Sequence, residues 1–317
     1  MSAADFEIAG RRIRAGRRVT FELPVGALPT GSPMAIPIQV VHGRREGPAV
    51  WLTGAVHGDE INGVEIVRRI LRQLTAPSLA GTIVAAPVVN VFGFVGESRY
   101  LPDRRDLNRS FPGSSRGSLA SRIARIVMDE IVLRTEVGID FHTGAFHRYN
   151  LPQVRGDLSD TPTRRLARAF GAPAAVDATL RDGSLRQAAT EAGRTVLLFE
   201  GGQVSRFDPE VVRIGVDGTL RVLGDLGMID EAPPPASAPV EVGRMRWVRA
   251  RRGGILRMQV DAGDTVDAGD PIAEIGDVLG GRPSVARSRA AGIVLGVTQS
   301  PLVNRGDALA NVGEPRS

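Results

Sequence analysis

Residues 49–60 read AVWLTGAVHGDE, an apolar run followed by a short polar turn. The run over 49–55 predicts a buried strand, because strands covered on both faces are apolar throughout. The next segment, 62–74, carries apolar side chains at the spacing of one helix face. His57 and Glu60 therefore fall on a loop between a strand and a helix, which is where α/β sheets bind ligands.

Three further apolar runs predict buried strands at 81–90, 137–141 and 195–199. Residues 119–133 form a second stretch with apolar side chains at helical spacing. Buried strands that alternate with amphipathic helices are typical of a mostly parallel or mixed sheet flanked by helices. The sequence therefore predicts an α/β fold.

The composition is that of a globular protein, and it excludes several classes of chemistry. The chain has 317 residues, 42% hydrophobic and 24% charged, with a net charge of +5. All 40 basic residues are arginine and there is no cysteine, which excludes lysine-based chemistry and thiolate sites. This charge is weak support for a nucleic-acid partner. With no signal peptide and no run of about 20 apolar residues, we expect no membrane partner and a cytoplasmic location.

A change of pattern near residue 233 predicts a second domain. Residues 233–239, PPPASAP, are expected to be a linker, because consecutive prolines fit neither a helix nor a central strand. Residues 240–317 show short alternating runs and Gly-Asp turns, which predict a small all-β domain. Their pattern resembles the biotinyl/lipoyl-like fold, without the lysine that would carry a cofactor. Residues 1–232 are predicted to form a catalytic domain, with an N-terminal extension over 1–24.

Two histidines and one carboxylate are the candidate metal ligands. His57 and Glu60 are three residues apart on the first loop, and His142 follows the strand predicted at 137–141. Two histidines, one carboxylate and an open position form a ligand set of catalytic zinc. We therefore expect one Zn²⁺ per chain. By spacing alone, ordinary hydrogen-bonded histidines are an equally good interpretation.

Four motifs in a fixed order resemble the succinylglutamate desuccinylase/aspartoacylase family of the zinc carboxypeptidase clan. They are GAVHGDE at 54–60, DRRDLNRSFPG at 103–113, DFHTG at 140–144 and LLFEGG at 197–202. Four ordered motifs are much more specific than any one of them, and the resemblance extends over about 25–317. It implies a zinc carboxypeptidase-like α/β fold and a zinc-dependent amide hydrolase.

The resemblance assigns roles to residues in these motifs. His57, Glu60 and His142 match the family's zinc ligands. Glu200 matches its general acid/base, a carboxylate that takes a proton from the attacking water and delivers it to the leaving nitrogen. Asp140 either faces away from the site or supports the imidazole of His142.

Arginines are the expected substrate contacts. Asn108 and Arg109 match the pair that binds the substrate carboxylate, for which the planar guanidinium is well suited. The family also has an arginine upstream that polarises the scissile carbonyl. Arg99 is favoured for this role, but two extra residues in this chain leave Arg104 and Arg105 as alternatives.

Other polar residues are expected to lie outside the site. Arg155 and Arg186 come from the stretch that would supply contacts to the substrate side chain, although surface positions are expected for both. His42 and His147 are expected to have structural roles.

The sequence predicts a zinc-dependent hydrolase that cleaves the amide bond of a small N-acyl amino acid or a related N-acylated amine. One alternative is a metallocarboxypeptidase that acts on a small peptide or a cell-wall fragment. Another is a non-catalytic binding protein with the same fold. The expected partner is a small-molecule N-acyl substrate, and a homo-oligomer is compatible with the sequence.

Overall fold

Twelve strands form one mixed sheet in this computed structural model, which describes residues 3–234, 237–281 and 283–316. The strands are β1 (Phe6–Ile8), β2 (Arg11–Ile13), β3 (Arg17–Ala27), β4 (Pro33–His42), β5 (Arg45–Thr53), β6 (Ala80–Ala86), β7 (Val137–Gly144), β8 (Arg148–Gly156), β9 (Ala174–Asp177), β10 (Thr195–Gln203), β11 (Val240–Arg249), β12 (Gly254–Met258), β13 (Thr265–Val266), β14 (Pro271–Gly276), β15 (Ser284–Arg287), β16 (Gly292–Thr298), β17 (Leu302–Val303) and β18 (Ala308–Pro315). The helices are α1 (Asn62–Gln73), α2 (Val91–Val95), α3 (Leu119–Glu130), α4 (Thr161–Phe170), α5 (Leu185–Glu191) and α6 (Pro209–Asp225), with 3-10 helices at Leu107–Arg109 and Val132–Arg134.

The large sheet has the order β13-β16-β18-β11-β9-β8-β10-β7-β5-β6-β4-β3. Its middle strands β10, β7, β5 and β6 run parallel to one another. β3 and β4 continue the sheet with antiparallel pairing on one side, and β8 is antiparallel to β10 on the other. The α/β fold predicted from the sequence is confirmed, with four of the predicted strands appearing as β5, β6, β7 and β10.

Helices cover both faces of the sheet and enclose two hydrophobic cores. On one face α1, α4 and α6 pack against the sheet, and the rings of Phe141, Phe170 and Phe199 lie in contact there. On the other face α3 and α5 pack around the fully buried Trp51. Burying each of these large side chains stabilises the fold by about 1.5–3 kcal/mol.

The N-terminal region forms a small two-stranded sheet from β1 and β2 and contributes β3 to the large sheet. Residues 1–24, expected as an extension, supply β1, β2 and most of β3, and β3 forms the edge of the large sheet. Phe21 and Leu23 are buried between exposed neighbours, which is the period-two pattern of a strand covered on one face. His42, at the end of β4, is buried and lies 2.9 Å from the Thr82 hydroxyl, in the structural role expected of it.

The described residues after position 239 contain strands and turns without a helix. Strands β12, β14, β15 and β17 form a separate four-stranded sheet. By contrast, β11 pairs with β9 and β16 pairs with β8, so that this region also extends the large sheet. Pairing of this kind satisfies the backbone groups that β8 and β9 would otherwise leave at an open edge.

Gly138 on β7 leaves room for the ring of Trp51, its partner on the neighbouring strand β5. A Cβ atom at position 138 would lie 1.9 Å from Cε2 of Trp51, whose side chain is fully buried. We therefore expect Gly138→Ala to lower the free energy of unfolding by about 1–3 kcal/mol, because an overpacked core must shift. Denaturant unfolding measures this change.

Gly276→Ala is the matched control, since no atom lies within 4 Å of the corresponding Cβ on β14. Its effect should stay within about 0.5 kcal/mol. Equal stability of the Gly138→Ala and Gly276→Ala variants would contradict the packing argument.

Candidate active site

A cavity of about 530 Å³ is lined by residues from the carboxyl ends of β7 and β10, the loop after β5 and neighbouring loops. Cavities of this size are typical of small-molecule sites. The structure brings together in its lining all the site residues predicted from the sequence, namely His57, Glu60, Arg99, Asn108, Arg109, His142 and Glu200.

The candidate metal ligands form a buried cluster. His57 and Glu60 lie on the loop between β5 and α1, and His142 lies on β7. The Nδ1 atom of His57 is 2.7 Å from Oε1 of Glu60, and Nδ1 of His142 is 2.8 Å from Oε2 of the same carboxylate. One possible ligand atom from each residue lies within 4.8 Å of the others. The three side chains can therefore contact one ion.

Two further carboxylates, those of Asp106 and Asp140, contact the second ring nitrogens of His57 and His142. The Nε2 atom of His57 is 3.1 Å from Asp106, and Nε2 of His142 is 2.8 Å from Asp140. Asp140 lies two residues before His142 on the same face of β7, and it also accepts a hydrogen bond from the Thr53 hydroxyl at 2.7 Å. Metal-ligating histidines commonly bind a carboxylate through their second nitrogen. Donor types and orientation thus fit a zinc ion.

The charges in this cluster are strongly coupled. Burial lowers the pKa of both His57 and His142, but Glu60 together with Asp106 or Asp140 outweighs burial and raises each pKa above its usual value. Burial acts to raise the pKa of Glu60, and the two imidazoles outweigh it and hold that pKa well below its usual range. Glu60 is therefore ionised, which is the form that binds a cation.

Glu200 faces the same cavity from β10. Its backbone is paired with that of His142 across the parallel β7–β10 ladder. One carboxylate oxygen is 3.1 Å from the Arg155 guanidinium, and the other accepts a hydrogen bond from the Asn150 amide. Both oxygens are thus held by neighbouring side chains of β8, while the side chain stays partly open to the cavity.

Asn108 and Arg109 lie on the 3-10 helix Leu107–Arg109 at the edge of the cavity. The side-chain amide oxygen of Asn108 accepts a hydrogen bond of 2.8 Å from the Leu185 backbone N–H. The Arg109 guanidinium donates to the Asn108 backbone carbonyl. These contacts orient both side chains, and the Arg109 guanidinium has no carboxylate partner among the described residues, which suits an anionic ligand.

The structure distinguishes among Arg99, Arg104 and Arg105, the three candidates for the arginine that polarises the scissile carbonyl. Arg99 lines the cavity and donates to Glu60 at 3.2 Å and to Asp106 at 3.0 Å. Arg104 and Arg105 are exposed on the following loop and do not line the cavity. The geometry therefore favours Arg99.

Arg155 and Arg186 are not the surface residues that the sequence led us to expect. Both line the cavity, and Arg186 is only 6% exposed. The Arg186 guanidinium donates to the backbone carbonyls of Ala178 and Thr179 at 2.9 Å and 2.6 Å. Burial, together with the nearby Arg155 charge, lowers its pKa to about 10. The expectation was wrong because the pairing of β8 with β10 turns Arg155 inward and the loop before α5 folds over the cavity.

The C-terminal region supplies part of the cavity wall. Met245, Trp247 and Asn311 line the cavity from β11 and β18. The Arg148 guanidinium stacks on the Trp247 ring at 4.8 Å from its centroid. His147, in contrast, lies outside the lining and packs against Phe146.

The chain belongs to the succinylglutamate desuccinylase/aspartoacylase family, since the model of that family's catalytic domain matches residues 46–226. This establishes the family that the four motifs resemble. The structure described here is also similar to a succinylglutamate desuccinylase/aspartoacylase from Rhodobacter sphaeroides. The two share 29% identity over 100% of this chain and 99% of the other, with a TM-score of 0.87.

Two further relatives carry a more specific description. The N-alpha-acetyl-L-2,4-diaminobutyric acid deacetylase of Halomonas elongata is 30% identical over 88% of this chain and 85% of its own length. The product-bound Ectoine utilization protein EutE (DoeB) from Ruegeria pomeroyi is 26% identical over 94% of each chain, with a TM-score of 0.84. These relatives confirm the predicted class of enzyme, a hydrolase of N-acyl amide bonds.

Among the described residues, no helix has both the length and the apolar character needed to span a membrane.

Asp106 is the site residue to which the sequence analysis gave no role, although it lies within the quoted motif at 103–113. Because it holds the Nε2 atom of His57, Asp106→Asn should weaken zinc binding by about 10–100-fold. Competition with a chelator measures this affinity.

Asp103→Asn, in the same loop, is the control, since Asp103 contacts the exposed Arg105 and not the cluster. Its zinc affinity should equal that of the unaltered protein. Unchanged affinity in Asp106→Asn would count against the assignment of His57 as a ligand.

Proposed function

We propose that this protein is a zinc-dependent deacylase that hydrolyses the amide bond of a small N-acyl amino acid. One observation carries the proposal: the buried cluster of His57, Glu60 and His142 shares a single cavity with Glu200. A metal site and a carboxylate held on the same cavity are the two elements that hydrolysis of an amide needs.

His57, Glu60 and His142 would hold the zinc ion. When bound, zinc lowers the pKa of a water molecule to about 7 and polarises a carbonyl group. Arg99 lies beside Glu60, and its guanidinium would donate to the carbonyl oxygen of the scissile amide as negative charge develops there.

Glu200 would move the proton. Its carboxylate takes a proton from the attacking water and then delivers it to the departing nitrogen, so that the amine leaves in neutral form. Arg155 and Asn150 hold the two carboxylate oxygens in a fixed orientation. A fixed orientation is what proton transfer to a defined atom requires.

Positive charge in the cavity supports a substrate that carries a carboxylate. Asn108 and Arg109 would bind it, with the guanidinium donating two parallel hydrogen bonds. Arg186 adds a buried positive charge that has no carboxylate within 4.0 Å among the described residues. An unpaired buried charge is costly, and an anionic ligand would offset that cost.

A deacetylase is the most specific form of the proposal. The Halomonas elongata relative is described as acting on N-alpha-acetyl-L-2,4-diaminobutyric acid. An N-acetyl amino acid is therefore the first substrate class to test, ahead of N-succinyl compounds. A cytoplasmic location and a homo-oligomer stay predictions.

We also propose that residues 240–317 act as a β-rich C-terminal domain of the biotinyl/lipoyl-like type, joined to the catalytic domain 1–232 by the linker 233–239, of which positions 235 and 236 lie outside the described residues. The separate sheet of β12, β14, β15 and β17 shares one buried core with β11, β13, β16 and β18, which supports this proposal. Trp247 would then narrow the cavity entrance and limit the size of the substrate.

A hydrolysis panel of N-acetyl amino acids, N-succinyl amino acids and short peptides tests the function, with zinc content measured on the same preparation. We expect release of free amino acid from N-acyl substrates in the zinc-loaded protein. Cleavage confined to peptides would support a carboxypeptidase and overturn the proposal. Zinc binding without any hydrolysis would support a binding protein.

Replacement of the proposed acid/base separates chemistry from metal binding. Glu200→Gln should lower kcat by about 10²–10⁴-fold, because it removes proton transfer while keeping the shape of the side chain. Zinc content should stay unchanged, since Glu200 is not one of the proposed ligands. The control Glu210→Gln alters an exposed carboxylate and should leave kcat unchanged. Full activity in Glu200→Gln would refute the role.

Replacement of the proposed carboxylate-binding residue should act on substrate affinity. We expect Arg109→Gln to raise KM by about tenfold or more through loss of a charge-assisted hydrogen bond, with a smaller effect on kcat. Arg105→Gln, an exposed arginine of the same loop, is the control. Steady-state kinetics on an N-acetyl amino acid measures both parameters. An unchanged KM in Arg109→Gln would place the substrate carboxylate elsewhere.

A further inference from the structure

A second cavity, of about 400 Å³, lies in the C-terminal region beside the catalytic cavity. Arginine is 40 of the 317 residues of the chain but half of the ten residues that line this cavity. Among the described residues, none of the ten that line it is acidic, although the chain has 35 acidic residues. We call it the arginine cavity, and its five arginines are Arg249, Arg251, Arg287, Arg289 and Arg305.

The arginines converge from three separate segments. They come from the end of β11, from the end of β15 and from the turn that precedes β18. Arg249 donates to the Gly306 carbonyl at 2.9 Å, and Arg287 donates to the Gly269 carbonyl at 2.9 Å. Backbone contacts thus hold two of the guanidinium groups in place.

Their charges are not neutralised by neighbouring side chains. Within the part of the chain that the structure describes, none of the five has a carboxylate within 4.0 Å. Like charges around one concave surface repel one another and focus a positive potential into it. The pKa of Arg148 in the neighbouring cavity is lowered mainly by burial and then by the charge of Arg249, while Asp307 acts in the opposite direction.

We propose that the arginine cavity binds a small phosphate ester at a site distinct from the catalytic cavity. A phosphate ester carries about −1.5 to −2 charges and several acceptor oxygens, and the guanidinium group matches phosphate geometry with two parallel hydrogen bonds. The ring of Trp247 lines one side of the cavity and offers an apolar face to the organic part of the ligand.

Trp247 connects this site to the catalytic one. Its ring lines both cavities, and Arg148, which stacks on it, lines the catalytic cavity. A ligand in the arginine cavity would therefore contact a residue that also contacts the substrate. The fluorescence of Trp247 should report its binding, because the other tryptophan, Trp51, is fully buried in the α/β core.

Titration of the full chain with glucose 6-phosphate at constant ionic strength tests the proposal, with glucose as the neutral control. We expect a saturable change in tryptophan emission, and isothermal calorimetry gives the affinity independently. Arg287→Gln/Arg305→Gln should weaken binding by about tenfold or more, because two charged donors are lost. Arg305→Gln alone, at an exposed turn, keeps the test valid if the double variant folds poorly.

The control Arg244→Gln/Arg257→Gln removes the same charge from exposed positions outside both cavities and should leave the affinity unchanged. Equal weakening in both double variants would show diffuse attraction and overturn the proposal. Loss of binding in Arg109→Gln would place the ligand in the catalytic cavity. Sedimentation with phosphatidylglycerol vesicles, without binding of glucose 6-phosphate, would assign the arginines to a lipid headgroup surface and also overturn it.

Discussion

The parallel pairing of β5, β7 and β10 is the constraint on which the site depends. Parallel strands end at the same edge of a sheet, so that the loop after β5 meets the ends of β7 and β10. Glu60 joins these elements chemically, since its two oxygens contact His57 from one loop and His142 from the neighbouring strand. Trp51 packs closely over Gly138, its partner in the pairing of β5 with β7, so that the core beneath these two strands has no room for a larger residue at position 138.

Arginine carries all the positive side-chain charge of this chain other than that of histidine, and its surroundings differ between the exposed surface and the two cavities. Many arginines form exposed pairs with carboxylates, such as Arg213 with Glu210, and exposed pairs of this kind add little to stability. The arginines of the two neighbouring cavities differ, because several of them have no carboxylate partner among the described residues. Unpaired guanidinium groups in concave surfaces are what anionic ligands recognise.

The C-terminal region serves the fold and the site at once. Its strands β11 and β16 pair with β9 and β8, which also places Trp247 and Asn311 at the catalytic cavity. Removing this region would expose the edges of β8 and β9, and β8 carries two side chains that hold Glu200. A substitution in the C-terminal strands can therefore shift the backbone of β8 and, with it, the two side chains that hold Glu200.

The sequence by itself determined the α/β class, the order of the central strands along the chain and the motifs that contain His57, Glu60, His142 and Glu200. These features are local, because apolar runs and motif residues depend on neighbours in sequence. The hairpin of β3 and β4 was missed although β3 alternates buried and exposed residues, a local pattern. The burial of Arg186 was missed because it depends on which segments meet in space. Only the tertiary structure decided that Arg99 faces the cluster and that strands after position 239 join the large sheet. Pairing between distant strands is a long-range interaction, and no local pattern of residues encodes its partner.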